Sequence, residues 1–425
     1  MLDTKKQMTP ELLAPAGSPA CAETAFAYGA DAVYAGIGNF NLRAHSPNFT
    51  VEEFGELVDF ADGSGRRVYG VLNIMPNDEQ LAPLEDALRR LAGGGCKLPH
   101  AFIVSDPGVL SLVNDIFAGG VPIHLSTQNG CFNSESMKFW RRQGVSRVIL
   151  PRELNTEQIR RLSSLDIMET EVFIHGAMCV SISGRCLLGA YYNRRHPNLG
   201  DCPQPCRLKY RVIPSDPTAS MPHDGFDAEE GDGGVYLLNS KDLCTVGILP
   251  AIMGTGAVSF KIEGRNKSAH YVASVVKVYR DAIDTYIASP KDYKVKDWWI
   301  SELDAIDHRP YTTGFYDDDP IKQELFASKA QAGCRLVGTV KAVIDGCPVI
   351  DVKNSFSAPG LESGGGAISI LPVNRSQVPF DFTFDTVREL DGPSADPQRA
   401  RSNRLVVLGG CSERLRVGDM LRVRV

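Results

Sequence analysis

Residues 11–36 read ELLAPAGSPACAETAFAYGADAVYAG, and the spacing within them decides the fold. Two short apolar runs, Glu11–Ala14 and Ala32–Ala35, flank a longer stretch, the pattern of strand, crossover and next strand. Working outward, the same short runs recur at Val68–Asn73, Ala101–Val104, Pro122–Leu125, Arg147–Leu150, Glu171–Ile174 and Val258–Ile262. Most are followed by amphipathic segments such as Val51–Ala61, Glu79–Leu91 and Asn155–Leu162. Repeated βα units build a parallel sheet, and eight in series predict a closed (β/α)8, TIM-barrel-like domain of the α/β class.

The series is interrupted between the seventh and eighth runs, across residues 175–256. That insertion holds Cys179, Cys186, Cys202 and Cys206, then an acidic, Gly- and Pro-rich stretch, Pro214–Gly234. Insertions of this length in a compact barrel are functional or unstructured. We read the cysteine part as an ordered site and Pro214–Gly234 as a mobile flap. The barrel domain takes residues 1–288, a connecting region takes 289–332, and the remainder, 333–425, changes style. There, short alternating runs (Leu336–Ile344, Ala367–Leu371, Phe380–Val387, Leu405–Leu408 and Met420–Val425) predict a small C-terminal antiparallel β-barrel.

Composition excludes several function classes. The 425 residues are 43% hydrophobic and 23% charged, with a net charge of −6, so no global positive field draws the chain to nucleic acid or anionic lipid. Such a partner has to be met by a local patch. The tail from Cys334, with twelve Lys and Arg against ten Asp and Glu, is the better binder of a polyanion. No apolar run reaches the length of a membrane span and no secretory signal opens the chain, which predicts a cytoplasmic protein. In that compartment eleven cysteines point to metal or cluster binding rather than disulfides. Phosphate-loop, HExxH and GxSxG signatures are missing, which removes support from the commonest ATPase, zinc-protease and serine-hydrolase readings.

The densest chemical signal is HGAMCVSISGRC from His175 to Cys186, followed by DCPQPCR from Asp201 to Arg207. The ligand pattern is C-x6-C-x15-C-x3-C. Four loop thiolates enclose either zinc or an iron–sulfur cluster, and since only the second pair is close, the spacing leans towards a cluster. Cys244 is a rival fourth ligand. The bland reading makes all of them small buried hydrophobes, and Cys21, Cys96, Cys131, Cys334, Cys347 and Cys411 are taken that way.

Barrel active sites form at the C-terminal ends of the strands, which selects Asn73, Asp106, Ser126, Gln128, Arg152, Glu153, His175, Lys261, Glu263 and Arg265. A rim of ion pairs, Arg152 with Glu153 or Lys261 with Glu263, accounts for the same residues. His175 fits three roles: proton donor, a group hydrogen-bonding cluster sulfur, or a satisfied structural histidine. An RNA patch is read in Arg194, Arg195, Arg207, Lys209 and Arg211, with Tyr191, Tyr192 and Tyr210 interleaved for base stacking. A solvated basic face explains the charges equally well.

ELLAPAG from Glu11, GADAVYAG from Gly29, HLSTQ from His124, PREL from Pro151, the His175–Cys186 block, NSKDL from Asn239 and KIEGR from Lys261 resemble the peptidase U32, or collagenase-like, family. Within it the chain is most similar to the TrhP branch of prephenate-dependent tRNA uridine hydroxylases. The resemblance implies C5-hydroxylation of the wobble uridine in the tRNA anticodon loop, with prephenate as oxygen donor. It also implies a 4Fe-4S cluster on Cys179, Cys186, Cys202 and Cys206. Some members lack a thiol at the position of Cys244, which leaves the fourth ligand open. Prephenate carries two carboxylates, so Arg43, Arg152 and Arg265 are expected as clamps beside Glu153 and Gln128. His175, Lys261 and Glu263 are the expected catalytic groups. The alternatives are a collagenase-like peptidase, a hydroxylase of rRNA or of a quinone precursor, and a non-catalytic cluster-carrying subunit.

Overall fold

The computed structural model describes residues 9–43, 48–95, 97–210, 238–317, 332–357, 367–390 and 399–424. The N-terminal strands are β1 (Glu11–Ala16), β2 (Ala32–Gly36), β3 (Arg67–Leu72), β4 (Ala101–Val104), β5 (Ile123–Leu125), β6 (Val145–Ile149), β7 (Glu169–Ala177), β8 (Asp242–Cys244) and β9 (Ser259–Ile262). β1 to β7 pair in sequence order, all parallel, and β9 closes the ring by pairing in parallel with both β7 and β1. This is the expected eight-stranded barrel, with every predicted strand in place.

Local chemistry starts and stops the surrounding helices. Ser18 caps the helix Pro19–Tyr28 by accepting from the Cys21 amide, and Gly29, at φ 118°, turns the chain out of it. Thr50 with Glu53, and Asn155 with Gln158, form capping boxes at the helices Val51–Gly63 and Thr156–Ser164. The long helix Ala269–Ala288 follows β9 and lies against the helix Pro19–Tyr28, closing the outer ring.

β7 is longer than the sequence predicts. Its upper end carries β8 in antiparallel pairing, with His175 opposite Cys244 and Ala177 opposite Asp242. Three-residue strands leave no periodic trace, so β8 was not predicted. It is held from behind by Arg309, which donates from Nε to Asp242 Oδ1 at 2.9 Å and from Nη1 to Asn239 Oδ1 at 3.0 Å. The NSKDL segment thereby returns the chain from the insertion to the barrel. Pro214–Gly234, the predicted flap, lies outside the described residues.

The tail forms a seven-stranded antiparallel half-barrel around its own core of Val337, Val340, Ile350, Phe382, Leu408 and Leu421, accompanied by a two-stranded ribbon. Its first strand, Cys334–Ile344, bends at two bulges. The run predicted as Phe380–Val387 is two strands, Phe380–Phe382 and Thr386–Glu389, and Cys347–Val352 is an unpredicted one. The tail is docked by apolar and polar contacts: Leu371 and Met420 join the barrel core, Tyr28 donates to Leu371 O at 2.9 Å, and Arg422 pairs with buried Glu302 of the connecting region at 2.5 Å. Among the described residues no helix is long and apolar enough to cross a membrane.

Candidate active site at the barrel mouth

The C-terminal ends of the strands and the cysteine insertion enclose one cleft, about 1360 Å3 of empty space including its open mouth. Its floor is made by Lys261 with Tyr34 and Phe173. Arg43, Asn73, Ser126, Gln128, Arg152, Glu153 and Glu263 line the walls, and Cys179, Cys186, Cys202, Cys206 and Arg207 form the roof.

The roof is built from loops and short helical turns. Asn198 joins it to the barrel: Oδ1 accepts from Gln128 Nε2 at 3.3 Å, and Nδ2 donates to Cys186 O at 3.3 Å. Glu153 accepts from the Ser183 amide at 2.5 Å, and Arg185 Nε donates to Gln128 O at 2.6 Å. Glu153 and Gln128 therefore anchor the cysteine loop, although the sequence reading assigned them to substrate. Asn198 carried no signal of its own, since a lone asparagine in a loop is unremarkable until its partners are seen.

All four expected cysteines reach the cleft. Burial raises the Cys206 thiol, and Cys179, Cys202 and Cys186 push it the same way against the opposing charge of Arg207. Among the described residues no three His, Cys, Asp or Glu side chains converge as for a single ion. The four cysteines that line the cleft are soft sulfur donors, the donor chemistry that an iron–sulfur group takes. Cys244 is outside this lining: its half-buried thiol accepts from Tyr279 at 3.8 Å, and desolvation raises it.

The cationic wall is arranged around Glu263. Arg43 Nη2 lies 3.4 Å from Glu263 Oε1, and Arg152 Nη2 lies 3.6 Å from Oε2. Arg152 is fixed by a 2.8 Å bond to Ala177 O and lies 3.8 Å over the Phe173 ring. Arg207, read from sequence as an RNA contact, lines the cleft instead, its charge disfavoured by burial and by Arg309. Arg265 is not among the cleft-lining residues; it is bonded to Asn41, with burial lowering it to about 10.

Residues 17–325 match peptidase family U32. The chain belongs to peptidase family U32. It is 37% identical over 329 residues to tRNA hydroxylation protein P1 of Bacillus subtilis, covering 77% of this chain and 75% of that one. It is 37% identical over 389 residues to tRNA hydroxylation protein P of Escherichia coli, covering 82% and 84%. An uncharacterized protease of Methanocaldococcus jannaschii is 40% identical over 322 residues, covering 74% and 75%.

Two further expected site residues of this U32 chain lie elsewhere. His175 is 1% exposed, outside the cleft lining, with its ring against Tyr271, Tyr279 and Tyr311. Burial lowers it to about 3, so it stays neutral. A satisfied structural histidine is the role that this geometry supports. Asp106 caps the helix Pro107–Phe117 by accepting from the Val109 amide at 3.0 Å.

On the outer surface of the roof Tyr191 is 80% exposed and Tyr192 62%, the latter 6.1 Å from the Tyr210 ring. Arg194 lies beside them, whereas Arg195 is engaged by Asp201 at 2.5 Å and Lys209 is also partnered. Arg211 lies outside the described residues.

Proposed function

We propose that this U32 chain is an RNA hydroxylase acting on tRNA, adding oxygen at C5 of the wobble uridine with prephenate as donor and a 4Fe-4S cluster held by Cys179, Cys186, Cys202 and Cys206. The observation that carries the reading is the shared cleft, in which all four thiols face a cationic barrel mouth. Its relatives named as tRNA hydroxylation proteins support RNA as the substrate class. Held by all four thiolates the cluster would have no vacant iron position and would supply redox chemistry; Lewis acidity would need one of the four not to be a ligand.

The chain's own residues bind and orient. Arg43, Arg152, Arg207 and Lys261 outnumber Glu153 and Glu263 in the lining, and a dicarboxylate neutralises that excess. A target base stacked between its neighbours is out of reach at the bottom of such a cleft, so the nucleotide has to be extruded. Tyr191 and Tyr192, exposed beside Arg194, offer faces for the flanking unpaired bases. Lys261 and Glu263 are the groups positioned to orient the donor and to hold or move its proton.

Protein purified without oxygen is expected to be brown and to contain about four irons per chain. A colourless protein with one stoichiometric zinc overturns the cluster. Nucleoside analysis of tRNA from a deletion strain is expected to lack 5-hydroxyuridine and its derivatives, and unchanged levels remove tRNA as the substrate.

A further inference from the structure

The interior of a (β/α)8 barrel is ordinarily filled by layers of branched apolar side chains. Here Glu11 on β1, Arg147 on β6, Glu171 on β7 and Lys261 on β9 occupy it, none more than 5% exposed. They form one chain of alternating charge. Glu11 Oε1 accepts from Arg147 Nη1 at 2.7 Å, Arg147 Nη1 reaches Glu171 Oε2 at 3.3 Å, and Lys261 Nζ donates to Glu171 Oε1 at 3.0 Å. Below them Tyr69 donates to Glu11 Oε2 at 2.6 Å and Ser259 to Oε1 at 3.0 Å.

Stability does not explain this arrangement, because apolar replacements of buried ion pairs are commonly neutral or stabilising. Position does explain it. Of the four charged residues, Lys261 alone lines the cleft. Its strand pairs with β7 so that Phe173 lies beside Lys261 and Glu171 beside Ser259, one layer lower. Glu171 reaches up from that layer and holds Nζ 4.4 Å over the Tyr34 ring, which is itself fixed by a bond to Ile262 O.

We infer that Glu171 is a positioning residue: it keeps the Lys261 ammonium charged and aimed at the floor of the cleft, where an anionic group of the co-substrate is received. The inference rests on the proposed anionic co-substrate for its biological meaning, but the charge state of Lys261 can be read without it. The groups facing Lys261 are Glu171 on β7, Glu263 beyond β9, Arg147 on β6, His124 on β5 and the Tyr34 ring on β2. His124 is neutral, lowered by burial to about 3. Burial and Arg147 disfavour the ammonium, while Glu171 and Glu263 favour it. Glu171 is the only hydrogen-bonded one of these among the described residues. Without its charge Lys261 faces Arg147 in a buried site and gives up its proton at lower pH.

The test follows the Lys261 charge directly and through binding. In full-length protein grown with 13Cε-labelled lysine, the Lys261 signal being assigned by Lys261→Arg, Glu171→Gln is expected to lower the Lys261 titration midpoint by about one pH unit or more. Glu171→Asp, which keeps the charge, is expected to restore most of it. An unchanged midpoint in Glu171→Gln overturns the inference. If Glu171→Gln does not fold, Glu171→Asp is compared with wild type for the same shift at smaller size, and no shift overturns it equally. Prephenate binding by calorimetry is the second readout. Glu171→Gln is expected to bind as wild type at pH 6 and about ten-fold more weakly at pH 8.5. Weakening by the same factor at every pH marks a merely structural role and overturns the inference. Failure of wild type to bind prephenate removes the proposed co-substrate, and the lysine titration then decides the Glu171 role alone.

Discussion

The roof and the interior of the barrel use charge in opposite ways. The roof holds its cysteines on short turns, with Cys179 exposed, Ser183 at φ 48° and a few hydrogen bonds to the rim. The interior holds Glu11, Arg147, Glu171 and Lys261 on the strands of a closed hydrogen-bonded sheet, sealed from water. A ligand set for an inorganic group needs loops that can wrap it. A fixed cation needs walls that cannot move. The two therefore ought to fail independently when mutated.

Cys179→Ala and Cys202→Ala break the roof alone and have the largest expected effect. Iron content and hydroxylation are lost while the thermal unfolding temperature stays near that of similarly iron-free protein. If Cys244→Ala abolishes the iron and Cys206→Ala leaves it, the ligand set drawn from the cleft lining is wrong. Arg147→Met breaks the interior: Glu11 keeps Arg67 and Glu171 keeps Lys261, but each loses one buried charged partner, and denaturant unfolding should show a loss of about 1.5–3 kcal/mol. A loss below about 1 kcal/mol would mean that the charged chain is not coupled as its distances indicate.

Acid sharpens the contrast further. His124, His175 and His270 are each lowered by burial from 6.5 to about 3, so the unfolded chain binds their protons first. Their contribution is fully present above pH 6.5 and is lost as pH falls from there towards 3, by about 1.4 kcal/mol per histidine for each pH unit. Thermal melts between pH 7.5 and 5 should show the decline, and a flat profile refutes it. On the roof's outer face Tyr191→Ala is expected to weaken binding of an anticodon stem-loop by about 1–3 kcal/mol, with no change in stability. Asn198→Ala removes one roof anchor and is expected to cost about 1 kcal/mol, seen as faster iron loss to a chelator.

Much of this molecule was legible before any coordinates. Each barrel strand announced itself as a short apolar run because nearly all of its residues are buried, and the cysteine block stood out by density alone. Less visible was β8, whose three residues are fewer than any period needs. Cys347–Val352 was overlooked although Asp345–Gly346, both at positive φ, mark a hairpin turn before it. Glu11, Arg147 and Glu171 were visible as charges inside apolar runs, yet an inward-facing charge and an outward-facing one read alike in a strand buried on both sides.

By itself the sequence determined the order of strands and helices, the closure into eight units, and the thiols that the insertion carries, because periodicity and residue chemistry are local properties. Which side chains enter the cleft was decided only by the tertiary structure. Glu171 and Phe173 point inward from β7, but one extra residue between Phe173 and His175, relative to Lys261 and Ile262, breaks the alternation and sends His175 to the helix side against Tyr279. A single register step turns a candidate catalytic histidine into a core residue, and registers are set by pairing between strands distant in the chain.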